Sequence, residues 1–518
     1  MLEKTVEVSY MHIALASNAL WLAAPLIAFI AIPPLTHTAT DAAPKVRQAA
    51  VAGSFYPADA KELSAMIDGL LAQVSGPPVT DHIFAVVAPH AGYPYSGPVA
   101  AYTYAALKGH KYARVVVIAP SHYEAFDFTS VYEGDAYQTP LGTVPVDKAF
   151  ARQLVKISST MQLSSRGHDP TAAGGEHAIE VELPWLQKVL GNFELVPIVM
   201  GDQSYESSRA LGMALVKLIK ADAKGGETLV LASSDLSHYH TYDDALKIDH
   251  KTLSALEKWD YFSMSRNFQA RIWEACGGAP IVTAMIYAER MGANQARVLK
   301  YENSGDVTGD HSRVVGYSAD VFAKTSGGKS MEAPFSLSET DKSELLALAR
   351  KSVEHVVQSA EAYDPPASES AALNQERGAF VTLKESGDLR GCIGYTSAVK
   401  PLYMTVRDTA TLAAMRDPRF RPVTVAELPS LEYEISVLSP LRRVTDVQQI
   451  RLGQHGLLMK NGKDEGLLLP QVPVEQKWDL PTFLEQTCAK AGMRAGCWKD
   501  ENTDIFSFTA VVFGEHKS

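Results

Sequence analysis

The sequence predicts an N-terminal α/β domain with a doubly wound, largely parallel sheet, followed by a C-terminal α+β domain. In the first part of the chain, short apolar runs each end in a polar, turn-rich stretch, and amphipathic helical patterns lie between them. Apolar strands that alternate with helices are typical of a parallel sheet covered on both faces. Hairpin signatures in the C-terminal part predict the α+β domain.

Four apolar runs are the predicted strands of the first domain, at 82–88, 114–119, 193–200 and 228–232. Helical patterns are predicted at 58–74, 207–221 and 281–291. His177 is expected in the first turn of a helix that continues to Pro184. We assign residues 45–324 to this domain.

A stretch of small and polar residues without periodicity, 325–334, predicts a linker. Beyond it, 341–360 has the spacing of an amphipathic helix. Two predicted hairpins follow, formed by 379–384 with 389–395 and by 456–460 with 466–469. We assign residues 335–518 to the second domain.

Composition excludes several classes of protein. Of 518 residues, 46% are hydrophobic and 21% charged, which is ordinary for globular proteins. The 48 basic and 59 acidic residues give a net charge of −11, so nucleic acid is not an expected partner. Four cysteines are too few for a disulfide scaffold, and none has the CxxC spacing of a zinc site.

A hydrophobic leader is predicted at residues 1–44. No charged residue occurs in 8–40, and the apolar run 13–32 is long enough to span a bilayer. A membrane anchor and a signal peptide are both consistent with this pattern, and a buried helix is the alternative. We therefore expect a membrane-anchored or exported protein, and otherwise a cytoplasmic one.

Histidines follow the predicted strands of the first domain. His90 and His122 come two or three residues after two strand ends, and Asp235, Ser237 and His238 follow a third. The carboxyl ends of strands border the ligand crevice of an open α/β sheet, so these side chains are expected to converge.

Two histidines and a carboxylate suit a divalent transition metal and leave positions open for a substrate. Non-heme iron, copper and zinc all fit this chemistry. The alternative is that each histidine is only a hydrogen-bonded residue at a strand end.

Five motifs in order resemble the Memo family: AGSFYP at 52–57, APHAGYPYSG at 88–97, PSH at 120–122, EHAIEVELP at 176–184 and SSDLSH at 233–238. The family fold is similar to that of class III extradiol dioxygenases, which hold non-heme iron with two histidines and a carboxylate.

The resemblance implies that His90 and His122 are metal ligands, with His177 and Asp235 beside them. Ser237 stands where animal Memo proteins have a cysteine, and serine is a weaker ligand than a thiolate. Asp235, His238 or water then remains for the third position. His177 and His238 are the candidate general acids or bases.

The second domain resembles the AMMECR-type domain, through GAFVTLKESGDLRGCIGY at 378–395 and DPRFRPVT at 417–424 among other segments. Memo-type and AMMECR-type domains occur together with a radical S-adenosylmethionine protein in the set called AmmeMemoRadiSam. The resemblance thus implies a fusion of two members, with the radical protein as a partner and a small molecule or peptide as ligand.

The cysteines allow further hypotheses. Cys392 lies between glycines and near Arg390, so it is either a nucleophilic or redox residue or a small buried one. Cys276 precedes a helix, and we interpret it as a small buried residue, with thiolate character as the alternative. Cys488 and Cys497 are a possible disulfide.

Three functions follow from these patterns. The leading hypothesis is a metal-dependent, dioxygenase-like enzyme. The first alternative is a scaffold that binds metal or peptide without turnover, and the second is catalysis by Cys392.

Overall fold

The computed structural model describes residues 44–76, 79, 81–171, 175–222, 227–325, 335–396, 398 and 400–515. Residues 44–518 group into one compact unit. We refer to residues 44–325 as the first half and to 335–515 as the second half. Residues 1–43 of the predicted leader and residues 326–334 of the predicted linker lie outside the described residues.

The prediction of a transmembrane segment is corrected here. Among the described residues, no helix is long and apolar enough to cross a membrane. The run 13–32, on which the prediction rested, lies outside those residues.

The strands of the first half are β1 (Val46–Arg47), β2 (His82–Ala88), β3 (Arg114–Pro120), β4 (Thr129–Tyr132), β5 (Ala136–Thr139), β6 (Gly142–Pro145), β7 (Met161–Ser164), β8 (Glu194–Met200), β9 (Thr228–Ser233), β10 (His238–His240), β11 (Gln295–Asn303) and β12 (Val314–Lys324). Its helices are α1 (Ala60–Leu71), α2 (Tyr93–Leu107), α3 (Lys148–Leu154), α4 (Leu183–Leu190), α5 (Tyr205–Ala221), α6 (Tyr242–Glu257), α7 (Tyr261–Gln269), α8 (Gly278–Met291) and α9 (Ser304–Thr308).

The main sheet of the first half has the order β10-β12-β2-β9-β3-β8-β4-β7, with β11 also paired to β12. Its central strands β2, β9, β3 and β8 are parallel. Strands β12 and β4 flank this centre in antiparallel pairs. The α/β class is therefore confirmed, with a mixed sheet whose centre is parallel.

Both faces of this sheet are buried. On β3, Val115 and Val117 pack into one hydrophobic cluster, while Val116 and Ile118 pack into another. Successive side chains of a strand point to opposite faces, so an unbroken apolar run places a core on each side. The strands could be predicted from the sequence for this reason.

The helix expected from His177 to Pro184 differs from the structure. The α-helix α4 begins at Leu183, and a 3-10 turn, Glu180–Glu182, precedes it. Proline lacks an N–H but fits the first turn of a helix, so Pro184 lies at the start of a helix rather than at its end.

The second half contains α10 (Glu339–Ser359), β13 (Ala379–Glu385), β14 (Asp388–Tyr395), α11 (Leu402–Met415), β15 (Leu431–Leu438), β16 (Arg442–Arg443), β17 (Gly456–Asn461), β18 (Asp464–Leu468), α12 (Val472–Glu475), α13 (Leu480–Lys490), β19 (Asp504–Phe508) and β20 (Ala510–Gly514). Its strands form two antiparallel sheets, β14-β13-β15-β20 and β16-β19-β17-β18, which confirms the α+β class. Cys488 and Cys497 form a disulfide, and Cys276 and Cys392 are free thiols.

The two halves share one hydrophobic core. Phe506 of β19 packs on Tyr261 and Phe262 of α7, with ring centroids 6.2 and 5.2 Å apart. Beside these rings, the buried carboxylate of Asp504 pairs with Arg209 of α5 and accepts a hydrogen bond from Tyr205. Apolar and ionic contacts thus join the halves.

Candidate metal centre

Three adjacent strands of the main sheet bring the predicted site residues to one edge. Strand β9 lies between β2 and β3, and all three are parallel. His90 follows β2, His122 follows β3 and Asp235 follows β9. These three residues therefore lie together at the carboxyl ends of the strands, as their positions in the sequence predicted.

His90, His122 and Cys276 form a group able to hold a metal ion. One ligand atom from each lies within 4.8 Å of the others. The Cys276 Sγ atom is 3.1 Å from the Nε2 atom of His90, and the two imidazole centroids are 5.1 Å apart. His90 is fully buried, and Cys276 is partly buried. The residues are thus two imidazoles and one thiol around a common point.

Backbone contacts fix the position of Cys276. Its N–H donates to the carbonyl of Asp235, and the N–H of Asp235 donates to its Sγ atom, both at 3.2 Å. At Gly277 a Cβ atom would lie 2.3 Å from the carbonyl oxygen of Ser233, so only glycine permits this approach. Helix α8 begins at the next residue, Gly278.

Glu176 orients His122. Its Oε1 atom is 2.9 Å from Nδ1 of His122, and its Oε2 atom accepts from the backbone N–H of the same residue. Burial alone would lower the pKa of His122, but the hydrogen bond and the charge of Glu176, together with the charge of Asp235, outweigh burial and raise the pKa. Because Nδ1 is hydrogen-bonded to a carboxylate, Nε2 is the ring nitrogen available to coordinate a metal. This arrangement is common in metal sites.

His90 has the same division of roles, with a different partner. Its Nδ1 atom lies 2.7 Å from the Oγ atom of Ser233, while Nε2 faces Cys276. Burial, and then the neighbouring His122 and His177, hold the pKa of His90 well below its usual value. A neutral imidazole, the form that binds metals, is therefore favoured at this position.

His177 lies against both histidines. Its ring stacks on His122 at 4.8 Å and meets His90 edge-on at 5.6 Å. Burial lowers its pKa to about 4, with a smaller contribution from His122. His177 is therefore a neutral imidazole at pH 7, and with His122 and Glu176 it forms a second group of metal-binding type.

Asp235 and Ser237 lie near the site, but neither belongs to these two groups. The Oδ1 atom of Asp235 accepts hydrogen bonds from the N–H groups of His90 and Ala91. Burial raises the pKa of Asp235 to about 6. Ser237 is fully buried, and its N–H donates to Asp249. Through its hydrogen bonds to the N–H groups of His90 and Ala91, Asp235 holds the loop that carries His90.

His238 lies at the start of β10. Its Nδ1 atom donates a hydrogen bond to the carbonyl of Leu236 at 2.8 Å, so Nε2 is the ring nitrogen not engaged in this bond. It is close enough to lower the pKa of both His90 and Asp235 by its charge. Its predicted part as an acid or base stays a prediction.

Cys392 belongs to the second half. It lies on β14, and the hydroxyl of Thr382 is 3.2 Å from its Sγ atom. Arg419 donates to its carbonyl oxygen at 3.1 Å. Burial raises the pKa of Cys392, so the thiol form is favoured.

The sequence predicted no role at this site for Cys276 or Glu176. Cys276 lies on the loop before α8, and no strand-end rule brings that loop to the site. The Cys-Gly-Gly sequence at 276–278 was the available signal, since paired glycines permit close backbone approach. For Glu176, the signal was its place directly before His177.

Comparisons with known families cover both halves. The family described as Memo-like protein matches residues 47–321, and the family described as AMMECR1 matches residues 346–513. The two matched regions correspond to the first and second halves.

Individual relatives match the first half. A MEMO1 family protein of Methanopyrus kandleri is 39% identical over 287 residues, which covers 54% of this chain and 99% of that protein. Another, of Sulfolobus acidocaldarius, is 37% identical over 286 residues, 52% of this chain and 97% of that protein.

Among solved structures, an uncharacterized protein, PH0010 of Pyrococcus horikoshii, is 38% identical and covers 33% of this chain and 90% of its own, with a TM-score of 0.33. The Memo-like match spans more than half of the chain, and the Methanopyrus relative is covered almost completely. The chain therefore belongs to the Memo family, and it joins a Memo-like half to an AMMECR1 domain.

Proposed function

We propose that the first half is a metal-dependent centre of oxidoreductase type, in which His90, His122 and Cys276 hold one divalent transition metal. The observation that carries this proposal is the approach of their three ligand atoms to within 4.8 Å of one another. Each imidazole already has its Nδ1 atom engaged, by Ser233 or by Glu176. Both Nε2 atoms are then oriented for coordination before any metal arrives.

The donor set agrees with this use. Imidazole suits iron, copper and zinc, and a thiolate suits copper and zinc best. In the protein without metal, burial and the charge of Asp235 raise the pKa of Cys276 and keep its thiol protonated. A bound cation favours deprotonation of a coordinating thiol, so metal binding is expected to release a proton.

Three protein ligands leave a coordination position for a substrate, and the ion would act there as a Lewis acid or redox centre. The chain's own groups would do the rest. His177, which is neutral at pH 7, lies beside both ligands and can accept a proton from a bound substrate. Asp235 holds the His90 loop in place through two backbone N–H groups.

Elemental analysis tests the proposal. Purified protein is reconstituted with iron, copper or zinc in turn and freed of excess metal. We expect about one ion per chain in the wild type and none in a His90→Ala, His122→Ala double variant. His311→Ala, in an exposed histidine, is the matched control and should keep the ion. A folded wild type that retains none of the three metals contradicts the proposal.

We further propose that the protein works with a radical S-adenosylmethionine protein of the AmmeMemoRadiSam set, on a small-molecule or peptide ligand. The support for this is the presence of both a Memo-like region and an AMMECR1 region in one chain. Co-purification of the two proteins, with an unrelated radical enzyme as control, tests it. Failure of the two to associate or to exchange a substrate would contradict it.

A further inference from the structure

A chain of buried hydrogen bonds lies behind His90. Its Nδ1 atom is 2.7 Å from the Oγ atom of Ser233, which is 2.8 Å from Oε1 of Glu182. The hydroxyl of Tyr104 donates to the other oxygen of Glu182. All four residues are 0 or 1% exposed, so water does not compete for these bonds. The mechanism proposed above does not use Glu182.

Proton counting along this chain determines the state of His90. The hydroxyl of Ser233 has one proton and lies 2.7 Å from the buried carbonyl oxygen of Ala178. Burial raises the pKa of Glu182 to about 8, so its carboxyl group, 2.8 Å from Ser233, can carry a proton at pH 7, whereas the carbonyl of Ala178 is always an acceptor. A buried carbonyl oxygen left unpaired is costly, so Ser233 donates its proton to Ala178. Ser233 then accepts from His90, and the imidazole carries its proton on Nδ1. Its Nε2 atom, the one that faces Cys276, has the free lone pair.

One short segment supplies the partners of both histidines. Glu176 bonds His122 directly, and Glu182 reaches His90 through Ser233. Glu180, between them, forms a buried ion pair with Arg47 at 2.6 Å and has no part in either chain. Glu180 and Glu182 are the first and last residues of the 3-10 turn, and their side chains contact different partners.

We propose that Glu182 is a positioning residue of the metal centre, which acts through Ser233 to hold His90 in the Nδ1–H tautomer with Nε2 directed at the metal position. The proposal deepens the proposed function and rests on it for its metal-binding consequence. Groups that hydrogen-bond to a metal ligand typically change metal affinity by tenfold to a hundredfold when they are removed.

The first test needs no metal. In protein labelled with ¹⁵N-histidine, the imidazole nitrogen shifts report the tautomer of His90, assigned by comparison with His90→Gln. We expect the Nδ1–H form in the wild type and in Glu182→Gln, whose amide keeps hydrogen-bonding capacity towards Ser233 and Tyr104. Ser233→Ala and Glu182→Leu should give a mixture of tautomers or the Nε2–H form. An unchanged Nδ1–H tautomer in Ser233→Ala overturns the proposal.

The second test measures the dissociation constant of zinc by competition with a chelator. Ser233→Ala and Glu182→Leu should bind zinc about tenfold to a hundredfold more weakly than the wild type, with Glu182→Gln within about threefold. Thr103→Val, which removes another fully buried hydroxyl, one bonded to the carbonyl of Val87, should leave the affinity unchanged. Equal affinity in wild type and folded Ser233→Ala overturns the proposal.

The two tests separate two kinds of failure. A wild type that binds no metal but shows the Nδ1–H tautomer contradicts the proposed function and supports the role of Ser233 and Glu182 in orienting His90. Zinc binding by the wild type, with unchanged affinity and unchanged tautomer in both Ser233→Ala and Glu182→Leu, supports the proposed function alone. If Glu182→Leu does not fold, the tautomer and the zinc affinity are both measured in Ser233→Ala alone.

Discussion

The Sγ atom of Cys276 lies 3.1 Å from the Nε2 atom of His90, although 186 residues separate them in the chain. The contact joins the loop before α8 to the loop after β2. In the proposed metal centre, the thiol of Cys276 takes the third ligand position, for which the sequence predicted Asp235, His238 or water because Ser237 stands where animal Memo proteins have a cysteine. The candidate ligand set becomes two histidines and a cysteine.

Replacing Cys276 by alanine is expected to abolish stable metal binding, because a thiolate is one of only three protein ligands in the proposed site. We expect the dissociation constant to rise more than about a hundredfold, beyond the usual effect of an outer hydrogen-bond partner. Chelator competition with zinc measures this change.

Ser237→Ala is the matched control, since Ser237 is a fully buried residue near the same site. Its affinity for zinc should stay within a few-fold of the wild type. The reverse result, with loss in Ser237→Ala and retention in Cys276→Ala, would return the third position to the Ser-Ser-Asp motif.

The junction of the two halves is predicted to depend on Asp504. This carboxylate is 2% exposed and pairs with both Arg209 and Arg290 of the first half. Burial raises the pKa of Asp504, but the two arginines outweigh it and hold the pKa below its usual value. Alanine at this position leaves two partly buried guanidinium groups without their partner.

The loss of one partner of a buried ion pair typically costs about 3–5 kcal/mol. We expect Asp504→Ala to lower the free energy of unfolding by that order, measured by urea denaturation. Glu206→Ala removes a more exposed acid that pairs with Lys460 across the same junction, and should cost about 1 kcal/mol or less. Equal effects of the two substitutions would contradict this account.

The strands of the main sheet were predictable because their apolar runs are unbroken. His90 and His122 were predictable as a pair because each follows such a strand, and the order of β2, β9 and β3 brings the strand ends together. Cys276 was not, because the path of a loop depends on contacts with distant backbone, here with Asp235.

The contact between the two halves could not be predicted from the sequence either. The sequence shows that Phe506 is apolar, yet it does not show that its partners are Tyr261 and Phe262 rather than residues of its own half. Packing partners follow from shape complementarity across the whole fold, which periodicity along one strand does not contain.

Cys392 is expected to react slowly with iodoacetamide at pH 7.5 in the folded protein. The thiolate is the reactive form, and burial raises the pKa of this thiol. Labelling in a Cys276→Ala background, with the modified peptide identified by mass spectrometry, isolates its rate. The rate should increase severalfold or more when the protein is unfolded.

Arg419 sharpens this test. Its charge lowers the pKa of Cys392 and partly opposes the effect of burial, so Arg419→Ala should slow labelling further. Faster labelling in the folded wild type than in the unfolded chain would favour the hypothesis that Cys392 is a nucleophile.

Asp320 is expected to make the stability of the protein fall as the pH rises. The residue is fully buried on β12, its Oδ2 atom accepts from Ser318, and its Oδ1 atom has no hydrogen-bond partner among the described residues. Burial raises the pKa of Asp320 from 3.8 to about 8. Between these values the unfolded chain has lost the proton that the folded protein keeps.

Folding therefore takes up a proton at Asp320 between about pH 4 and pH 8. The contribution of Asp320 to stability is fully present below pH 4 and is lost as the pH rises through 8. The free energy of unfolding of Asp320→Asn, minus that of the wild type, should increase across this range by about 1.4 kcal/mol per pH unit at most.

Urea denaturation at intervals of one pH unit measures this difference, and the other titrating groups cancel because both proteins contain them. Asp388→Asn, at an exposed position of a hairpin, controls for the loss of a carboxylate at the surface and should show no such trend. A difference that is constant from pH 4 to pH 8 would mean that the side chain ionises equally in the folded and unfolded states, and that its burial is relieved by water.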